Sequence, residues 1–298
     1  MRSTTSRRGV LGGTAASALV ALAAVTGAAA PSQPAASAQA AAPSQANVVL
    51  GEPQGAAHAH NDYEHDRPLF DALEHGFTSV EADVWLVNGE LLVAHDLANV
   101  QPGVTLESLY LDPLDSLIRG QDHSVYPGWD GTFQLLIDIK SDGESTYAAI
   151  EEELAEHPSI MTRYSNGKTK TGPVIAVVSG NRPLETMRNR DSRFAFYDGR
   201  SGDLASGIPA DLMPLVSDNW NKLFAWRGVG VMPESEKARL REYVRVAHAQ
   251  GYRVRFWATL DVPGEAREAI WTELHEAGVD HINTDDLAAL EEFLGSRS

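Results

Sequence analysis

The chain has 298 residues, of which 43% are hydrophobic, enough for one large domain or two small ones. Its 41 acidic residues outnumber its 24 lysines and arginines, and the net charge of −17 argues against a partner that needs a basic face, such as nucleic acid or an anionic membrane surface. The absence of cysteine excludes disulfides, thiol nucleophiles and cysteine-ligated metals.

The first segment of the chain has the features of an export signal. Ser6-Arg7-Arg8-Gly9 precedes a weakly apolar run, rich in alanine and glycine, that extends to Ala30. We predict a twin-arginine-type signal peptide over residues 1–38, with an uncleaved membrane anchor as the alternative. Residues 39–50 are rich in Ala, Pro, Ser and Gln and are predicted to form a disordered linker. The expected location of the mature protein is therefore extracytoplasmic, without a stable membrane anchor.

After residue 50, short apolar stretches alternate with helical ones. The predicted strands, in chain order, are 56–60, 79–86, 91–94, 133–139, 173–178, 193–197, 213–217, 253–259 and 281–284. The predicted helices are 67–75, 105–118, 145–156, 182–188, 234–250, 263–276 and 286–294. This alternation predicts a parallel sheet, and a length near ~250 residues predicts one (β/α)8 TIM barrel over residues 51–298. The surplus strand, 91–94, is interpreted as a hairpin arm or a short extension.

Ionisable side chains interrupt the apolar pattern of two predicted strands. Glu81 and Asp83 share one face of strand 79–86, because residues two apart in a strand point the same way, and Asp138 and Lys140 follow the same rule. In a barrel this face points inward and opens into the active site at the C-terminal ends of the strands. Three converging carboxylates need a neutralising cation, and oxygen ligands favour Mg²⁺ or Ca²⁺ over zinc. The alternative is that each carboxylate pairs with a buried arginine or lysine, for example Arg253 or Arg255.

Two histidines lie at predicted strand ends. His60 closes the first strand and His95 follows strand 91–94, positions suited to proton transfer near neutral pH. We prefer His60 to His58 as the reacting group, because His58 shares its face but lies deeper in the strand. The remaining histidines are interpreted as surface or structural residues.

The order His60-Asn61, Glu81-x-Asp83, His95-Asp96 and Asp138-x-Lys140 resembles the glycerophosphodiester phosphodiesterase and PI-specific phospholipase C-like superfamily. It is most similar to a bacterial branch with a His-Asn-Asp-Tyr start that is related to the fungal altered-inheritance-of-mitochondria proteins, and sphingomyelinase D enzymes share the layout. The resemblance runs from about residue 57 to residue 287. The usual His-Arg-Gly start is replaced here and the Pro-Glu-Asn segment is missing, so glycerophosphodiesters are not established as the substrate.

This resemblance implies a secreted, metal-dependent phosphoric diester hydrolase acting on a glycerophosphodiester or a (lyso)phospholipid head group. It implies one divalent cation, Mg²⁺ or Ca²⁺, on Glu81, Asp83 and Asp138. It implies that His60 and His95 are the acid and base, and that Lys140 neutralises charge on the phosphate. Asn61, Trp257 and Asn283 are expected to line the substrate site.

Three other functions stay open from the sequence. A sphingomyelinase D-like lyase would form a cyclic phosphate with the same histidines, and a non-catalytic secreted barrel would only bind its ligand. An amidohydrolase-type enzyme would use the pair His58-x-His60, but the later predicted strands 173–178, 193–197, 213–217 and 253–259 contain no histidine to complete its metal site. Three aromatic residues between 219 and 226 are interpreted as packing a loop against the core rather than contacting lipid. The sequence indicates no oligomeric state.

Overall fold

The computed structural model describes residues 48–297. The predicted signal peptide over residues 1–38 and most of the predicted linker therefore lie outside the described residues. Val48 and Leu50, at the end of that linker, pack against the hydrophobic core. Within residues 48–297, no helix combines the length and the apolar character that a membrane crossing requires.

Eight parallel strands form a closed barrel. The described residues form twelve strands in all, of which eight belong to the barrel. In chain order they are β1 (Gln54–Ala59), β2 (Phe77–Val87), β3 (Glu90–Val93), β4 (Phe133–Ile139), β5 (Arg163–Ser165), β6 (Lys168–Lys170), β7 (Val174–Gly180), β8 (Ser192–Arg193), β9 (Ala195–Gly199), β10 (Leu215–Asn219), β11 (Arg253–Trp257) and β12 (His281–Thr284). The barrel order is β1-β2-β4-β7-β9-β10-β11-β12, and parallel pairing of β12 with β1 closes it. The predicted (β/α)8 barrel is confirmed.

Helices connect the barrel strands. Those of the described residues are α1 (Phe70–Glu74), α2 (Asp112–Gly120), α3 (Gly143–Glu156), α4 (Leu184–Arg188), α5 (Trp220–Leu223), α6 (Glu234–Ala249), α7 (Glu265–Glu276) and α8 (Leu287–Gly295). A π-helical turn over Glu107–Leu111 leads directly into α2. The side chain of Asp142 caps the start of α3 by accepting a hydrogen bond from the backbone N–H of Ser145.

Four of the strands lie outside the parallel ring. β3 pairs antiparallel with β2, which confirms the predicted hairpin arm. Asn88 and Gly89 form the two-residue turn between them, and both have positive φ, at 54° and 92°, as a type I′ turn requires. The short strands β5, β6 and β8 form a separate antiparallel sheet that the sequence did not predict.

Alternation along the barrel strands directs side chains toward two different cores. On β4, Leu135 packs in the layer between strands and helices, whereas Leu136 belongs to an interior cluster with Val177 and Leu215. Asp138, two residues after Leu136, is therefore on the interior face and one layer nearer the C-terminal end of the barrel. The packed interior thus forms the floor beneath the polar residues at this end.

Candidate active site

A cavity of about 350 Å³ lies at the C-terminal end of the barrel. Seven of the predicted site residues line it: His60, Asn61, Glu81, His95, Asp138, Lys140 and Trp257. The other two, Asp83 and Asn283, are buried and connect to residues at the cavity. The structure therefore brings all nine into one region, although they come from segments far apart in the chain.

A carboxylate in the loop that follows the last barrel strand, β12, holds His60 in place. Its Nδ1 lies 2.7 Å from Oδ1 of Asp285, so Nε2 is left for proton transfer. Burial alone would lower the pKa of His60, but the hydrogen bond with Asp285 and the charge of Glu81 outweigh it and raise the pKa above its usual value. The imidazole is therefore well suited to carry a proton near neutral pH.

His95 has an equivalent arrangement on the other side of the site. Its Nδ1 lies 3.1 Å from Oδ2 of Asp83, and its side chain is about half exposed. The hydroxyl of Tyr63 donates to the same Asp83 oxygen at 2.7 Å and lies 3.3 Å from Nδ1 of His95. Both predicted catalytic histidines are thus oriented by a carboxylate through Nδ1, and each keeps Nε2 free of that contact.

The three predicted metal ligands are only partly neutralised by basic side chains. Arg255 donates to Oε2 of Glu81 at 2.5 Å, so the alternative of a buried arginine partner holds for this carboxylate. Lys140 forms ion pairs with both Asp83, at 3.0 Å, and Asp138. Burial would raise the pKa of Glu81, but Arg255 holds it well below its usual range.

Asp83 has a buried carboxylate oxygen that no hydrogen bond satisfies among the described residues. Asp83 lies opposite Asp138 in the pairing of β2 with β4, and its Oδ1 is buried without a hydrogen-bond partner in the described part of the chain. Burial, followed by the charge of Glu81, raises the pKa of Asp83 to about 6. An unpartnered carboxylate oxygen among three carboxylates fits a divalent cation with oxygen ligands.

Comparison with known proteins decides the family. A model of the AIM6-like phosphodiesterase domain matches residues 52–198, and a model of the glycerophosphoryl diester phosphodiesterase family matches residues 253–288. The altered inheritance of mitochondria protein 6 of Eremothecium gossypii is 31% identical over 266 residues, which cover 79% of this chain and 68% of that protein. This chain belongs to the AIM6-like phosphodiesterase family.

Two further similarities extend over most of the chain. The altered inheritance of mitochondria protein 6 homolog of Arthroderma benhamiae is 28% identical over 275 residues, covering 83% of this chain and 86% of that protein. A crystal structure of a glycerophosphoryl diester phosphodiesterase from Parabacteroides distasonis aligns with a TM-score of 0.47 and 15% identity, covering 84% of this chain and 89% of that one. The family resemblance predicted from the motifs is confirmed, and the chain is a phosphoric diester hydrolase.

Within this AIM6-like barrel, His58 is a structural residue rather than part of a His-x-His metal pair. Its side chain is fully buried, with Nδ1 2.7 Å from the Ser79 hydroxyl and Nε2 3.4 Å from Glu81. Burial, with the charge of Arg255, lowers the pKa of His58 to about 3. His60 alone of the two lines the cavity, which removes the geometric basis for the amidohydrolase alternative.

Four residues of the site were not assigned from the sequence. Arg200 and Arg255 line the cavity, and Tyr63 and Asp285 hold the two histidines. Strand alternation could have identified Arg255, because it shares the inward face of β11 with Trp257. Arg200 follows β9 and is fixed by Asp198 at 2.5 Å, a pairing that only the folded loop creates.

The aromatic segment after β10 packs inward, as interpreted. Trp220 is fully buried, and Phe224 and Trp226 are nearly so. Phe224 stacks on Trp220 with ring centroids 4.1 Å apart. These rings therefore support the wall of the barrel and do not present a lipid-contacting surface.

Proposed function

We propose that this phosphodiesterase hydrolyses a glycerophosphodiester or the head-group diester of a (lyso)phospholipid, with His60 and His95 as the acid and base. The observation that carries the proposal is that both histidines line one cavity and that each has its Nδ1 on a carboxylate. A site that only bound its ligand would not need two oriented proton-transfer groups.

The proton transfers follow from this arrangement. Nε2 of one histidine takes a proton from the attacking water while the water oxygen forms a bond to phosphorus. The other histidine gives a proton to the leaving alkoxide oxygen while the bond between that oxygen and phosphorus breaks. Lys140 and Arg200 lie at the cavity to offset the charge that builds on the non-bridging oxygens. A divalent cation on Glu81, Asp83 and Asp138 would add Lewis-acid stabilisation of that charge, and we include this metal dependence in the proposal.

The size and lining of the cavity favour a small polar group. A volume of about 350 Å³ is at the lower end of the ~300–1,000 Å³ typical of ligand pockets. Trp257, with Nζ of Lys222 6.0 Å from the centroid of its ring, is the aromatic residue of the lining. We infer that the cavity holds the diester and its head group, and that an acyl chain would remain outside.

Hydrolysis of bis(p-nitrophenyl) phosphate tests the reaction class. We expect activity that EDTA removes and that Mg²⁺ or Ca²⁺ restores, and a loss of about 10²–10⁴ in rate for His60→Ala and His95→Ala. His123→Ala replaces an exposed histidine outside the site and should keep full activity. Loss of turnover in His58→Ala with none in His60→Ala would contradict the assignment.

Natural diesters then separate the substrates and the products. Glycerophosphoinositol and lysophosphatidylcholine represent the two substrate classes, and ³¹P NMR distinguishes a hydrolysed monoester from a cyclic phosphate. A cyclic product would favour the sphingomyelinase D-like lyase. Failure with all diesters, including the generic one, would favour a binding protein.

We also propose that the mature protein acts outside the cytoplasm. The support is the paired Arg7-Arg8 followed by a weakly apolar run. Replacing both arginines by lysine should retain the protein in the cytoplasm, as measured by cell fractionation with an antibody to the barrel. Unchanged export of that variant would refute the twin-arginine route.

A further inference from the structure

A second group of potential metal ligands lies outside the active-site cavity, on the helical layer. Glu107, Asp112 and His157 each bring one ligand atom within 4.8 Å of the others. Two donors on one ion at ~2.0–2.4 Å can be at most ~4.8 Å apart, so this spacing allows all three to bind one cation. None of the three lines the active-site cavity.

The π-helical turn places the first two ligands together. The backbone N–H of Asp112 donates to the carbonyl of Glu107, five residues earlier, which is the hydrogen bond of a π-helix. In a regular α-helix of 3.6 residues per turn, side chains five apart diverge around the axis. The wider π turn instead lets Glu107 and Asp112 face the same neighbour.

His157 supplies the observation that separates this group from an ordinary acidic surface. It caps the C-terminal end of α3, and about nine-tenths of its side chain is buried. Oδ2 of Asp115 lies 4.0 Å from its Nδ1, which is within ion-pair range but too far for a hydrogen bond. One ring nitrogen of this largely buried imidazole lies within 4.8 Å of a carboxylate oxygen of Glu107 and of Asp112, which is a spacing that a shared metal ion allows.

Glu153 adds a buried carboxylate oxygen next to this group. It lies four residues before His157, and residues four apart on a helix are neighbours on one face. Its Oε2 is buried without a hydrogen-bond partner among the described residues.

We propose that Glu107, Asp112 and His157, with Glu153 beside them, bind one divalent transition metal, with Zn²⁺ as the best match. Imidazole nitrogen with carboxylate oxygen is a ligand set that zinc accepts, whereas Mg²⁺ and Ca²⁺ favour oxygen ligands alone. The ion ties the π turn and the start of α2 to the end of α3. This site is independent of the proposed reaction, because it shares no residue with the active-site cavity.

Zinc titration of the metal-free mature protein tests the site. We expect Asp112→Asn and His157→Gln each to lose one bound zinc per chain by calorimetry and by elemental analysis after dialysis. Glu152→Gln, an exposed neighbour of Glu153 on α3, is the charge-matched control and should retain that zinc. Glu81→Gln should also retain it, which separates this site from any ion in the active site.

The outcomes are distinct. Zinc content that is unchanged in both Asp112→Asn and His157→Gln overturns the proposal, as does a protein whose zinc is lost entirely in Glu81→Gln. If His157→Gln fails to fold, Asp112→Asn still decides, because Asp112 is exposed. Zinc should also raise the melting temperature of the natural protein and of Glu152→Gln, and not that of Asp112→Asn.

Discussion

Replacing Asp62 by asparagine should stabilise the protein at neutral pH and change its stability little at acidic pH. Asp62 is fully buried in the segment that carries Asn61 and Tyr63 to the active site. Its Oδ2 accepts hydrogen bonds from the backbone N–H of Leu69 at 2.6 Å and from the Tyr110 hydroxyl at 2.9 Å. Its Oδ1 has no partner within residues 48–297. Burial raises the pKa of Asp62 to about 7.

The magnitude follows from the difference between the folded and unfolded states. The usual pKa of this carboxyl is 3.8, so the folded value of about 7 is higher by about 3 units. At about 1.4 kcal/mol per unit, ionising Asp62 costs the folded state on the order of 4 kcal/mol. Because the folded state binds more protons than the unfolded state in this range, the free energy of unfolding falls as pH rises from about 4 to 7.

An asparagine keeps an oxygen acceptor for Leu69 and Tyr110 and carries no charge. Asp62→Asn should therefore match the natural protein at about pH 4 and exceed it by about 1–4 kcal/mol at about pH 8. Urea unfolding followed by tryptophan fluorescence measures both differences. Asp66→Asn, an exposed aspartate of the same segment, is the control. An equal difference at both pH values, or the same pH dependence in Asp66→Asn, would refute the reasoning.

Three further changes probe the site and its support. Asp285→Asn keeps an oxygen acceptor for Nδ1 of His60 but removes the negative charge that helps to raise the pKa of His60, so the matching limb of the pH profile of kcat/KM should move to lower pH. A profile that only falls in height would indicate a structural role. Arg200→Gln should raise KM about 10–100-fold, since a hydrogen bond to a charged group contributes about 1.5–3 kcal/mol. Arg188→Gln, which replaces an exposed arginine paired with its helix neighbour, should leave KM unchanged, and equal KM values in the two variants would count against Arg200 as a phosphate ligand. Trp220→Ala should lower the free energy of unfolding by about 3–5 kcal/mol, because Trp220 is fully buried, and a loss below about 1 kcal/mol in chemical denaturation would contradict that packing.

The barrel was predictable because its strands carry a clear inside and outside. Strands 133–139 and 281–284 have the bounds expected from the sequence. Most apolar strand positions belong to the large core, and Leu136, Val177, Phe196 and Leu215 form a small separate cluster. Strand 253–259 was predicted too long, since it ends at Trp257. Ala258 there adopts a positive φ of 57°, and its carbonyl accepts a hydrogen bond from the Asn221 side chain. A periodic pattern of apolar residues does not predict such a turn.

The short sheet of β5, β6 and β8 was missed because its strands lack apolar alternation. β6 is the exposed stretch Lys168–Lys170, and β8 has only two residues. β5 pairs with β8 through Tyr164 and Arg193, although β7 lies between these two strands in the sequence. Charged strands of two or three residues carry no periodic signal, so only the tertiary structure defines them.

The positioning residues of the site depend on contacts that sequence spacing cannot show. His60 and Asp285 are 225 positions apart, and Glu81 and Arg255 are 174 apart. Strand parity predicts that such side chains face the interior, but closure of the barrel determines which of them meet. The histidines and carboxylates were therefore recognised as a set, whereas of their partners only Arg255 was anticipated, as one alternative for a carboxylate.

The hairpin of β2 and β3 limits the insertions and deletions that this enzyme can tolerate. In the antiparallel ladder, Val84 pairs with Val93, and the backbone N–H of Ala94 donates a hydrogen bond to the carbonyl of Asp83. His95 therefore lies two residues after Val93, the last paired residue of β3. Inserting or deleting one residue at Asn88-Gly89 would shift the ladder by one place and turn His95 to the opposite face. This connection therefore has a fixed length, and libraries aimed at new substrates should diversify the loops after β9 and β10 instead.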